Sequence, residues 1–323
     1  MRIKENGNCL PAAVHAGKGC YSGNNTLKKI KKHWQLYLVI LFPLAYIIIF
    51  QYIPMYGVQI AFKDFIPTEG LFGGSWVGFK YFRNFFSSYN FWTILANTLG
   101  ISFYSLFAGF PMPIIVALLL NEVGNRKFKK TVQMVTYAPY FITNVVLVSI
   151  IIQFLSPRIG IVNNIIDALG GERINFMAVP HFFKSIYVWT GIWQNTGYNS
   201  VIFLAALSSI DISLYEAAIM DGASKLRRIW HIDIPGIMPT AVILLILNLG
   251  RIMNVDYEKI LLLQNPLNYR TAEVISTYVY KLGIERADFS YASAIGLFNS
   301  VINLILLVVV NQIARKTNET SLW

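Results

Sequence analysis

Glu216-Ala217-Ala218-Ile219-Met220-Asp221-Gly222-Ala223 is the stretch on which the reading of this chain turns. It is followed by Ile234-Pro235 and Pro239, and it lies between two apolar segments of membrane-spanning length. Ala218 and Gly222 are four residues apart, so on a helix they share a face small enough for another protein to approach closely. Gly222 also permits a left-handed helix end, and Ser224 is placed to cap a second helix over Lys225–Ile232. Ser213-Leu214-Tyr215-Glu216 fits a capping box, with the Ser213 hydroxyl serving an orphan amide and Glu216 reaching back. A short polar helix of this kind is a poor lipid-facing element and a good docking knob. The plain alternative is an ordinary hairpin between two spans.

Hydrophobic residues occupy 55% of the 323 positions and charged residues 13%, against roughly half and a quarter in soluble domains. Six apolar stretches stand out, near 35–55, 94–120, 132–155, 184–208, 236–256 and 291–313. Each reaches the ~20 residues that a helix needs to cross the hydrocarbon core, although Asn248, Arg251 and Asn254 interrupt the fifth. Only helices and closed barrels satisfy their backbone in lipid, and these runs are too long and continuous for barrel strands. An all-α integral membrane protein with six spans is therefore expected. Pro43, Pro111, Pro113 and Pro139 fall inside the apolar runs, so kinked helices packed in a bundle are expected as well.

A net charge of +11 would suit a nucleic-acid binder if it were gathered on one surface. Its distribution explains it differently. With the N-terminus inside, the cytoplasmic segments hold 16 basic residues against 7 acidic ones, and the remainder of the chain holds 11 against 9. That asymmetry predicts an orientation with both termini in the cytoplasm, and no nucleic-acid partner is expected. Residues 1–33 read as a polar cytoplasmic tail and 34–323 as one transmembrane domain. Residues 28–53 have the outline of a signal peptide, but the run is too long and lacks a small-residue cleavage site, so an uncleaved first helix is expected. Cys9 and Cys20, with His15 between them, fall short of a full ligand set, and no metal site is expected.

Three other functions fit poorly. Gly17-Lys18 lacks the glycine-rich loop of a phosphate cradle, since position 12 is Ala12 and the residue after the lysine is Gly19, so ATP chemistry on this chain is not expected. His15, His33, His181 and His231 are scattered with no pairing at ligand spacing, which argues against a membrane enzyme. An ion-coupled secondary transporter, or a channel acting without an ATPase, is the stronger rival. It would need ionisable groups at mid-membrane, and only Arg251 qualifies.

The spacing Glu-Ala-Ala, three residues, Gly, then about a dozen residues to Ile-Pro closely resembles the EAA loop of ABC importer permeases. Trp193-Gln194-Asn195-Thr196-Gly197-Tyr198-Asn199, leading through Ala205-Ala206-Leu207, resembles carbohydrate-importer permeases of the MalF/UgpA type. The stretches Ile275–Gly283, Asp288–Phe298 and Glu319–Trp323 look like the LplB branch of these binding-protein-dependent inner membrane components, and the likeness spans residues 34–323. Asp211 stands where the family has proline and Trp230 where it has phenylalanine; Asp211 thereby competes with Ser213 as N-cap. The resemblance implies a six-helix type I (MetI-like) permease in a bacterial inner or plasma membrane, with no cofactor of its own. Glu216, Ala217, Ala218, Asp221, Gly222 and Ala223 would form the cytoplasmic coupling loop that inserts into a groove on an ATPase. The implied partners are a second homologous permease, two cytoplasmic ATPases that hold ATP and Mg, and an extracytoplasmic solute-binding protein. That protein would deliver an oligosaccharide, complex or acidic.

The pathway for such a sugar is sought among intramembrane polar groups. Arg251, Asn254 and Glu258 are spaced i, i+3, i+7 and would share one face of helix five. An ionisable side chain facing lipid is costly, so this face should look into the bundle or a wet path. Asn299 and Asn303 form a second stripe on helix six, and Asn195, Tyr198 and Asn199 a third on helix four, with Trp189 and Trp193 supplying aromatic faces. Arg251 on a cavity wall would suit a uronate. The alternatives are tryptophan as an interfacial anchor and asparagine as glue between helices.

Overall fold

The computed structural model describes residues 32–318. The tail with Cys9, His15, Gly17-Lys18 and Cys20, and the closing Glu319–Trp323, lie outside the described residues. Two compact units are present, divided between Gly57 and Val58. The described part of the first is a helix. α1 (Trp34–Ile47) contains Pro43 and continues through a π turn, Ile48–Tyr52, into Ile53–Met55. The wide turn comes just before Pro54, which has no N–H to offer the helix ladder. This helix is apolar all round, as a lipid-solvated span should be.

The second unit holds the remaining spans. α2 (Phe91–Gly109) and α3 (Pro111–Asn121) form one long helix that steps at Phe110, ahead of Pro111 and Pro113. α4 (Arg126–Tyr137) tightens into a 3-10 turn around Pro139, and α5 (Asn144–Phe154) departs at 101°. α6 (Pro180–Ser208) is followed at 73° by α7 (Ile212–Met220). α8 (Lys225–Arg228) passes through a π turn, Ile229–Asp233, into α9 (Ile234–Leu249). α10 (Tyr257–Leu263) is short, and α11 (Phe289–Asn318) is the final span. Among the described residues four helices are long and apolar enough to cross a membrane, and up to six if each bent pair is one span.

One expectation is corrected here. Lys225–Ile232 is not a separate helix, because the π turn joins α8 to α9 without a break. A π turn widens the ladder just where Pro235 cannot donate, so the chain stays helical.

Three apolar clusters hold the bundle together. Phe85, Phe91, Ile94, Met253 and Ile295 belong to one, Ile101, Leu147, Phe183 and Ile260 to the next, and Ala117, Phe203, Leu207 and Ile237 to the third. In lipid such contacts act through close packing, since hydrocarbon competes equally for apolar side chains. The segment between Val58 and Asn90 is tied down by polar groups. Asp64 accepts from the Tyr81 hydroxyl and from Lys80 at 3.1 Å. That hydroxyl first, then the ammonium, holds the Asp64 carboxyl below its ordinary value. Burial and the same carboxylate push Tyr81 up to about 12. Phe65 N–H donates to Ser290 Oγ at 2.9 Å, which fixes this segment to the start of α11.

Candidate functional site

Two features stand apart from a simple helical bundle: a projecting hairpin at α7 and a polar cavity beside the end of α9. The hairpin is well built. Asp211, in extended conformation, caps α7 by accepting from the Ser213 amide at 3.0 Å. The predicted capping box of Ser213 and Glu216 is therefore not formed. The carboxylate of Asp211, placed two residues earlier, takes the orphan amide and complements the helix dipole better than a hydroxyl. The other end is a Schellman motif. Ala223 N–H donates to Ala218 O at 2.8 Å and Gly222 N–H to Ile219 O at 3.0 Å, with Gly222 left-handed at φ +71°.

No residue of α7 is buried. Glu216, Ala217, Asp221 and Gly222 are exposed, as are Ile212, Ile219 and Met220, the last at 86%. Ala218, Asp221 and Ala223 border a hollow of about 340 Å³ together with Arg227 and His231. The base of the hairpin is anchored. The Tyr215 hydroxyl donates to the carboxylate of the buried Asp233, and Arg228 pairs with Glu122 at 3.5 Å. The first contact joins α7 to the turn that leads into α9, and the second joins α8 to the residue that ends α3.

The cavity, of about 470 Å³, lies among α2, α6 and the chain that follows α9. Here the predicted polar face of helix five does not exist. α9 stops at Leu249, and residues 250–256 are non-helical. Asn303 fastens this break to the final span. Its Oδ1 accepts from Met253 N–H at 3.1 Å, and its Nδ2 donates to Asn254 Oδ1, also at 3.1 Å. Asn299 Nδ2 donates to the same oxygen at 2.9 Å. The Asn303 amide thereby satisfies the Met253 N–H while backbone turn bonds serve Arg251, Ile252 and Asn254, as irregular backbone at membrane depth requires.

This break redistributes the predicted pathway residues. Arg251, Asn254, Asn195 and Asn199 line the cavity. Glu258 does not, because Asn144 Nδ2 draws it aside at 2.8 Å while holding Asp256 at 2.9 Å. Asn299 and Asn303 pin the break instead of lining the cavity. Tyr198 stacks on Tyr140, centroids 3.9 Å apart and planes 7° off parallel. Trp193 and Trp189 also lie outside the cavity lining, and Trp189 donates to the Tyr104 hydroxyl at 2.9 Å.

Other residues of the Trp193–Asn199 motif hold the bundle. Gln194 Nε2 donates at 3.0 Å to Ile142 O, a carbonyl freed by the bend between α4 and α5. A Cβ on Gly197 would overlap the Thr136 carbonyl, so the backbones of α4 and α6 meet there. Lys259, which also lines the cavity, was missed by sequence reasoning. The signal available was a lysine directly before the apolar run Ile260-Leu261-Leu262-Leu263, just beyond the expected end of the fifth span.

Similarity to known proteins agrees with this architecture. Residues 109–319 match the family described as binding-protein-dependent transport system inner membrane component. The chain is 42% identical to Protein LplB of Bacillus subtilis, over 95% of this chain and 96% of that one. It is 41% identical to the polygalacturonan/rhamnogalacturonan transport system permease protein YteP of the same organism, over 92% of each. Among solved structures, a chain of a bacterial ABC transporter involved in the import of the acidic polysaccharide alginate superposes with a TM-score of 0.84 at 40% identity. That match covers 91% of this chain and 99% of the other. A multi-pass helical chain with a projecting hairpin, an interior polar cavity and these relatives belongs to the binding-protein-dependent inner membrane component family and is a carbohydrate ABC importer permease.

Proposed function

We propose that this permease passes an acidic oligosaccharide, handed over by an extracytoplasmic solute-binding protein, through the cavity beside the broken end of α9. Arg251 and Asn254 meet the sugar from the break, and Asn195 and Asn199 from α6. A second, homologous permease completes the pathway, and two cytoplasmic ATPases holding ATP and Mg drive it. Those ATPases dock on Glu216, Ala217, Ala218, Asp221, Gly222 and Ala223. Closure of the ATPase pair moves α7, and the Tyr215–Asp233 and Arg228–Glu122 links carry the movement into α9 and α3. The permease is then the two-state element whose equilibrium both ligands bias.

The observation that carries this reading is Arg251. It lines a cavity rich in side-chain amides, and none of the ion pairs among the described residues includes it. A guanidinium held in that state is suited to a bidentate bond with a carboxylate. Further support comes from the relatives, one named for polygalacturonan and rhamnogalacturonan transport and another for alginate import. In a solved structure of the alginate transporter, the periplasmic protein is bound to an alginate pentasaccharide.

The test is Arg251→Leu in the complete importer. Maximal uptake of an acidic oligosaccharide should fall, while the affinity of the delivery protein for the sugar in solution stays unchanged. The loss should be about tenfold greater for the acidic sugar than for a neutral analogue, because charge-assisted bonds are about twice as strong as neutral ones. Equal uptake of both sugars by variant and wild type would make Arg251 structural.

A further inference from the structure

Lys259 is a buried cation to which the pathway so far gives no role. It is only 3% exposed, yet it is part of the cavity wall. Its ammonium donates to Tyr187 O at 3.2 Å and lies 5.0 Å from the centre of the Tyr187 ring. One turn further along α6, a Cβ on Gly191 would sit 3.4 Å from the same nitrogen. Gly191 lines the same cavity, so no side chain at that position stands between the buried ammonium and the lumen.

An ammonium carries three donors, and the Tyr187 carbonyl takes one. No carboxylate lies within 4.0 Å of Lys259 Nζ among the described residues. Asp256 also borders the cavity, but its oxygens are engaged elsewhere. Oδ1 accepts from the amides of Glu258 and Lys259, and Oδ2 from Asn144. A buried charge without a close counter-ion is expensive to maintain. If Lys259 served only to tie α10 to α6 through Tyr187 O, a neutral donor would do the same at lower cost. The charge therefore calls for a ligand.

We infer that Lys259 and Arg251 form a two-cation station in the cavity that holds carboxylates of the sugar in transit, with Lys259 as the residue that selects acidic over neutral substrates. The inference rests on the proposed acidic-oligosaccharide function. Both cations belong to one short stretch, Arg251 in the unwound backbone and Lys259 in the first turn of α10. With the chain non-helical between them, both line the same cavity. Arg251 is exposed and its contact is partly screened by water, whereas Lys259 acts from within the wall, where a carboxylate gains most from pairing.

The experiment uses the complete importer in cells, supplied with trigalacturonate and with the same trisaccharide after reduction of its carboxyls to neutral hydroxymethyl groups. The readout is the ratio of acidic to neutral uptake. In Lys259→Met, which keeps the length of the side chain and removes the charge, the ratio should fall about tenfold, the worth of one hydrogen bond to a charged group. Lys259→Arg should retain most of the wild-type ratio, which guards against a methionine variant that simply fails to assemble. If both sugars lose uptake equally in Lys259→Met while Lys259→Arg restores both, the lysine is a tether and the inference fails. An unchanged ratio in Lys259→Met overturns it as well, leaving the acidic-sugar function standing. A wild-type importer that treats the two sugars alike, or takes up neither, sinks that function and this inference with it.

Discussion

Gly197 shows how narrowly single residues govern this bundle. A methyl group there would overlap the Thr136 carbonyl, a backbone atom that cannot step aside without moving α4. Gly191, two turns earlier on the same helix, faces only the flexible end of Lys259 at 3.4 Å. Gly197→Ala should therefore cost about 1–3 kcal/mol as an overpacked contact, lowering the thermal midpoint of the purified complex, while Gly191→Ala should leave it nearly unchanged. Equal midpoints for the two variants would mean that α4 yields freely. From sequence, the Trp-Gln-Asn-Thr-Gly-Tyr-Asn run could be placed on a helix but not divided by task. Gly197 turns out to be a joint, Gln194 both a joint and cavity wall, Tyr198 a stacking partner of Tyr140, and Asn195 and Asn199 cavity wall. Those assignments depend on which neighbour each side chain meets, and no periodicity encodes that.

At the scale of elements, the hairpin was legible and the break after α9 was not. Left-handed Gly222 and the cap at Ser224 are local devices, formed between residues a few positions apart. Gly222→Val puts a β-branched residue at φ +71°, a conformation that L-residues with branched side chains avoid. No neighbouring atom lies within 4 Å of a Cβ there, so the strain is confined to the hairpin end. The variant should insert normally, lose ATPase association in co-purification and lose uptake. Normal transport by Gly222→Val would remove the coupling role from this loop. The broken end of α9, by contrast, is fastened by Asn303, 50 residues away. The i, i+3, i+7 spacing of Arg251, Asn254 and Glu258 suggested a helical face, and the break interrupts it.

For the whole molecule, where the basic residues fall predicts the orientation in the membrane. The turn after α3 with the start of α4, and the turn around α8, are both basic: Arg126, Lys127, Lys129 and Lys130 in one, Lys225, Arg227 and Arg228 in the other. Positive charge of this kind favours the cytoplasmic side. In a background lacking Cys9 and Cys20, a membrane-impermeant thiol reagent added to intact cells should label Glu172→Cys and miss Lys225→Cys. Labelling at position 225 would reverse the topology and remove α7 from the ATPase side.

The sequence by itself determined the helical membrane class, most of the apolar spans and the position of the hairpin at α7, because span length and helix-end residues depend on residues close together in the chain. Only the tertiary structure decided how the polar groups inside the bundle divide between glue and wall. Asn303 met the backbone of the break and Asn299 the Asn254 side chain within it, Asn144 held Glu258 outside the cavity, and Lys259 joined Arg251 in the cavity lining. A polar side chain within lipid must find a partner. Which partner it finds is set by the helix packed opposite, and not by its neighbours in sequence.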